Sequence, residues 1–150
     1  MSDCVFCKII SWEIPSVKIW EDDDSLAILD ISPNCKWMTL LMSKKHYWSD
    51  LFDLDNEFYS KFLLIVKKIV EILKRWLEVH RVTMVMEWMD VDHLHIKLYP
   101  LHGVEKQWQE YCAREKIYFD KYEWYVTTLL WPKANMEELK KVAEEIKSKI

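Results

Sequence analysis

A chain of 150 residues with a net charge of −4 and a pI near 5.7 is sized for one domain spanning 1–150, and is poorly suited to binding polyanions such as nucleic acid. It has no apolar run of 18 residues and no signal-peptide layout, so it reads as cytoplasmic, with no membrane contact. Four Cys are too few for a disulfide scaffold at this length; one Gly beside nine Trp is the abnormal feature, since glycine usage is ordinarily about 7%.

The chain opens on Cys4-Val5-Phe6-Cys7, a spacing that suits a metal ion. This is half a site, because zinc takes four ligands, usually Cys and His. His46 and His93 stand where they could complete the set. A pair of packed thiols or a redox dithiol are the alternatives, although the second usually accompanies a βαβ pattern that is absent here. Residues 5–10 are mostly apolar and predict a short helix or turn. Pro15-Ser16 marks a turn and 17–20 a strand. The acidic run Glu21-Asp22-Asp23-Asp24 fits a hairpin turn better than a metal site. A second strand is predicted at 25–30. It ends on Asp30, before Ile31-Ser32-Pro33, where a carboxylate can either accept two hydroxyl donors or start an Asx-turn.

A third strand is predicted at Thr39–Ser43, followed by Lys44-Lys45-His46. Asp53 or Asp55 can cap the next helix. Phe58, Phe62, Ile65, Val66, Ile69 and Leu73 recur at three- and four-residue steps, giving an amphipathic helix of about five turns. A fourth strand is predicted at 79–86 and a fifth at 92–99. Strands, one long helix and further strands predict an α+β fold with an antiparallel sheet of about five strands. The core is expected over about 1–103. The extension from about 104 to 150 predicts a helix at 107–116, a strand at 122–130 and an amphipathic C-terminal helix at 136–150. That tail is expected to cover a sheet edge, meet a second subunit or overhang a pocket.

The fifth strand is the most informative stretch. In Asp92-His93-Leu94-His95-Ile96-Lys97-Leu98-Tyr99, polar and apolar residues alternate, as in a half-buried strand. His93, His95, Lys97 and Tyr99 then share one face. HLHIKLY resembles the His-φ-His-φ-His-φ-φ motif of the histidine-triad family of nucleotide hydrolases and transferases, with φ apolar and Lys97 in the third His position. The blocks CVFCKII, IPSVKIWEDDDSLAILDISP and TLLMSKKHY extend the resemblance, in the family's order, across roughly the first hundred residues.

The resemblance implies a histidine-triad fold and a homodimer paired through the long helix and a sheet edge. It implies structural zinc held by Cys4, Cys7, His46 and His93. It also implies a pocket for a purine nucleotide or its conjugate, with Ile9 lining the base, Asp30 on the ribose, and Ile31 and Asp90 as further nucleotide-binding residues. His95 would attack the α-phosphorus to form a nucleotidyl-histidine, which water or another acceptor resolves. The substrate would be a phosphoramidate, a dinucleoside polyphosphate or another adenylylated compound. A nucleotide-binding module of the same fold with weakened catalysis is the alternative. This alternative arises from three departures. Lys97 replaces a His, Met38 stands where the family has a supporting His, and Met89-Asp90 replaces a Gln-Ser/Thr pair. Lysine has three donors and no acceptor, so Lys97 suits holding a phosphate oxygen rather than relaying a proton near neutral pH. Asp90 or Asp92 is a candidate general acid.

Trp12, Trp37, Trp76, Trp88 and Trp131 stand where turn physics or the family pattern asks for glycine. One cause, codons read as glycine in the source cell, would explain both the missing glycine and the surplus tryptophan.

Overall fold

The computed structural model describes residues 3–86, 90–107 and 134–148. The elements are α1 (Val5–Ile10), β1 (Val17–Glu21), β2 (Ser25–Leu29), β3 (Thr39–Ser43), a 3-10 turn (Leu51–Asp53), α2 (Asn56–Leu77), β4 (Val82–Val85), β5 (His95–Pro100) and α3 (Met136–Lys147). The five strands form one antiparallel sheet in the order β1-β2-β3-β5-β4. The helix and strand expected at 107–116 and 122–130 lie outside the described residues, apart from position 107.

The acidic run makes the β1–β2 hairpin. Asp22 Oδ1 accepts the amides of Asp24 at 2.9 Å and Ser25 at 2.7 Å, closing an Asx-type turn. Lys44 pairs with Glu21 at 2.6 Å and Lys61 with Asp24, so the acids are engaged in surface ion pairs. Asp55 caps α2, its Oδ1 accepting the Phe58 amide at 2.9 Å. The helix runs 22 residues, longer than the expected five turns, and ends at Glu78, which takes a left-handed φ of 55°.

The period-two pattern sorts side chains onto two faces of the sheet. On one, Leu29, Leu41, Ile96 and Leu98 pack with Phe62, Ile69 and Leu73 of α2 and with Leu139, Ala143 and Ile146 of α3. On the other, Leu26, Ile28, Leu40 and Met42 pack under Phe6 and Ile9 of α1. Each large side chain taken out of water here is worth about 1.5–3 kcal/mol before entropy is counted. The C-terminal helix therefore completes the first core, lying against β1 and α2.

Two expectations change. The fifth strand is not half-buried: His95 and Lys97 are buried as well, because α1 roofs the polar face. The fourth strand is cut to Val82–Val85, with Thr83 and Met84 exposed at the sheet edge. Among the described residues, no helix is long and apolar enough to cross a membrane.

Candidate metal centre and active site

The first turn of α1, the loop after β3 and the approach to β5 converge on one point. Cys7 Sγ lies 3.2 Å from His46 Nδ1 and 3.6 Å from His93 Nδ1, and Cys4 Sγ lies 3.5 Å from His93 Nδ1. The four ligand atoms all fall within 4.8 Å of one another. A tetrahedral zinc with bonds of about 2.3 Å to sulfur and about 2.0 Å to nitrogen needs ligand atoms roughly 3.3–3.8 Å apart. The donor set fits that ion. His93 Nε2 lies 2.7 Å from the Ser43 carbonyl, which can only accept. The proton is therefore on Nε2, and Nδ1 turns its lone pair to the thiols. Burial, the largest influence on His93, depresses its pKa and favours the neutral imidazole that a metal requires.

Two residues on, His95 is 3% exposed and meets the Phe6 ring edge-on at 4.9 Å. Its Nδ1 lies 2.6 Å from the His93 carbonyl, again an acceptor only. Nδ1 must donate, so in the neutral imidazole Nε2 is the unprotonated nitrogen. The His93 residue thus serves twice: its ring belongs to the metal cluster and its carbonyl sets the tautomer of His95.

Lys97 is 7% exposed and lies opposite Leu40 of β3. Its ammonium is 3.9 Å from Asp90 Oδ2, on the solvent side. Asp30 follows β2, and its Oδ1 accepts the Ser32 amide at 2.7 Å, the Asx-turn geometry. Burial raises the pKa of Asp30, while the Ser32 amide, Lys97 and His95 pull it back. These groups are therefore electrostatic neighbours around one space. Ile9 is buried among Phe6, Ile28 and Met38, while Ile31 is 41% exposed, and its carbonyl receives the Ala134 amide at 2.8 Å. Met38 fills the position of the expected supporting His with an apolar side chain, 3% exposed.

Asp92 does not face Lys97. Its Oδ1 accepts the Ser49 amide at 3.1 Å and the Ser49 hydroxyl at 2.9 Å, tying down the loop that carries His46. Sequence reasoning missed this anchor, since only the fold brings Ser49 to Asp92. A separate pocket of about 570 Å³ opens on the outer side of the metal cluster, lined by Lys8, Ser11, Lys44 and His46 among others, and does not include His95.

Residues 11–103 match the HIT domain family. The chain belongs to that family. Among its HIT relatives, an adenosine 5'-monophosphoramidase (hnt1) from Schizosaccharomyces pombe is 31% identical over 150 residues, covering 98% of each chain. An uncharacterized HIT-like protein from Borreliella burgdorferi is 48% identical over 75 residues, 50% of this chain and 53% of that one. The chain thus spans about half the length of several curated HIT relatives it matches. A HIT-like protein from Bartonella henselae, crystallised with an unknown ligand and involved in cell-cycle regulation, superposes with a TM-score of 0.71 at 26% identity, covering 99% of this chain and 97% of that one. A zinc-bound histidine-triad protein from Mycobacterium smegmatis superposes at 0.64 with 20% identity, covering 97% and 91%, and shares the HIT fold.

Proposed function

We propose that this HIT protein is a hydrolase that transfers a nucleotidyl group through His95, with an adenosine phosphoramidate as the preferred class of substrate. The observation that carries the reading is the 2.6 Å contact of His95 Nδ1 with the His93 carbonyl, which leaves Nε2 as a neutral nucleophile. Nε2 attacks the α-phosphorus, the P–N bond breaks and the amine departs with a proton from solvent. Water then cleaves the nucleotidyl-histidine. Lys97, a buried cation two residues along the same strand, neutralises charge on the non-bridging oxygens. Asp30 accepts the ribose hydroxyls, and Ile9 and Ile31 border the base. The name of the fission-yeast relative supports the substrate class.

A weakened nucleotide-binding module is the second reading, favoured by Met38, which removes a hydrogen-bonding partner from beside the triad. Steady-state release of amine from adenosine 5'-phosphoramidate separates the two. Turnover by the unaltered protein, lost in His95→Asn, supports the enzyme. Tight nucleotide binding without turnover supports the module.

Zinc is proposed at Cys4, Cys7, His46 and His93, as a structural ion joining α1 to the sheet. Its chemistry is Lewis-acid cross-linking of two thiolates and two imidazoles, with no role in bond cleavage.

Asp30 carries a cost in the empty protein. Its pKa is raised on folding, so its ionised form is disfavoured there, and its contribution to stability is lost as pH rises through the folded pKa. Asp30→Asn keeps the oxygen that accepts the Ser32 amide. It is expected to raise Tm at neutral pH and to weaken nucleotide binding, as read by thermal unfolding and calorimetric titration. A lower Tm with nucleotide binding unchanged would assign Asp30 a purely structural role.

A homodimer is proposed through β4 and α2. The β4 edge is unpaired among the described residues, Met84 on it is 46% exposed, and Leu64 on α2 is 68% exposed. Light scattering should return twice the 18.3 kDa chain mass. A concentration-independent monomer would refute the dimer.

A further inference from the structure

Two turns whose backbone favours glycine hold tryptophan. Trp12 has φ 65° and Trp37 φ 63°. In this left-handed region a β-carbon clashes with the following carbonyl, at a cost of about 1–2 kcal/mol, and a bulky residue there is an outlier. Glycine adopts it freely.

Both turns are defined by hydrogen bonds. Helix α1 ends at its C-cap Ser11, and the next residue, Trp12, donates its amide to the Ile9 carbonyl at 3.1 Å. Ile14 donates to the Lys8 carbonyl at 3.1 Å. The first of these is the shorter bond of a Schellman stop and the second comes from one residue further along than in that motif, so Trp12 stands at the left-handed C′ position where glycine is favoured. In the second turn, Met38 donates to the Cys35 carbonyl at 3.2 Å. Trp37 is the third of its four residues, and Lys36 before it does not have positive φ. That is the pattern of a type II turn, which asks for glycine at the third residue.

The indole at position 12 supplies little in return, while the contacts of the one at position 37 offset part of its strain. Trp12 is 56% exposed, with the Lys18 ammonium 4.7 Å from its ring centroid. Trp37, half-buried, meets Trp76 edge-on at 5.2 Å and the tilted His102 ring at 5.4 Å, under the Lys36 ammonium at 3.9 Å. Composition points the same way. Ordinary usage predicts about ten glycines in 150 residues; the chain has one, Gly103, itself at φ 78°, beside nine Trp.

We propose that the natural polypeptide carries glycine at positions 12 and 37, through codons that the source cell reads as glycine. Trp76 is not included, because it lies within α2 and the left-handed residue there is Glu78. Trp88 and Trp131 lie outside the described residues. Glycine at 37 relaxes the segment between Asp30 and β3 and removes an indole from the end of the sheet, while the His102 Nε2 bond to the Lys36 carbonyl, at 3.0 Å, remains because the acceptor is backbone.

The proposal is independent of the catalytic reading. Tryptic peptides of the chain purified from its own cells decide it by tandem mass spectrometry: those spanning 9–18 and 37–44 should each show glycine in the tryptophan position. Tryptophan in either peptide overturns the proposal. As a second measure, the recombinant chain carrying Trp12→Gly and Trp37→Gly should melt at a higher temperature than the chain with both indoles. A lower melting temperature would show that the indoles contribute more than the strained backbone costs, and would overturn the physical argument.

Discussion

Lys97→Met is expected to lower kcat by about 10²–10³, the loss typical of removing one preorganised charge donor from a transition state. The change keeps the buried stem beside Leu40 and deletes only the ammonium. Asp90, the ion-pair partner, is 57% exposed at its side chain, so leaving it unpaired is cheap. Folding should therefore survive, and KM should move far less than kcat, because the charge on the phosphate oxygens grows in the transition state. Lys97→His restores the family's third imidazole and is expected to retain most activity. Equal kcat in the unaltered and Met variants would reduce Lys97 to a space-filling residue.

Metal removal carries the second large effect. A Cys4→Ser variant, or the chain stripped by a chelator, is expected to lose several kcal/mol of stability, a drop in Tm of about 10 °C or more. The cause is local: α1 has no side-chain N-cap and spans only six residues, so beyond the packing of Phe6 and Ile9 the proposed cross-link from Cys4 and Cys7 to His46 and His93 would hold it on the sheet. Phe6 of the same helix packs on His95, and the His93 carbonyl sets the tautomer of His95. Activity should therefore fall together with metal content, although the ion takes no part in the reaction. Occupancy should also fall in acid, because the ligands bind as thiolates and neutral imidazoles. Elemental analysis returning well under half an equivalent of zinc per chain, or a Cys4→Ser variant of unchanged Tm, would contradict this.

What the chain discloses in advance follows from which interactions are local. The alternation in Leu94-His95-Ile96-Lys97-Leu98 and the three- and four-residue steps from Phe62 to Leu73 are local, and both elements form there. The gathering of Cys4, Cys7, His46 and His93 rests on contacts across up to 89 positions; ligand chemistry offered the two His as candidates, and the resemblance joined them to the Cys pair as one set. The burial of His95 and Lys97 was not legible, because it depends on tertiary packing, such as Phe6 of α1 lying on His95 from the far end of the chain. Asp92 looked like a candidate acid from its nearness to the triad in sequence; in the fold its carboxylate is taken by Ser49. Trp76 was expected in a turn that favours glycine, but it lies within α2, which continues to Leu77 with the left-handed residue at Glu78.

The covalent intermediate is the most direct test of the central claim. The protein is mixed with adenosine 5'-phosphoramidate labelled at the α-phosphorus, quenched within the first turnover, and digested for peptide mapping. Label on the peptide carrying His95, released by acid and stable to alkali as expected of a phosphorus–nitrogen bond, and absent from His95→Asn, is the predicted result. Product formed at the usual rate by His95→Asn, or label that maps to any other residue, would contradict it.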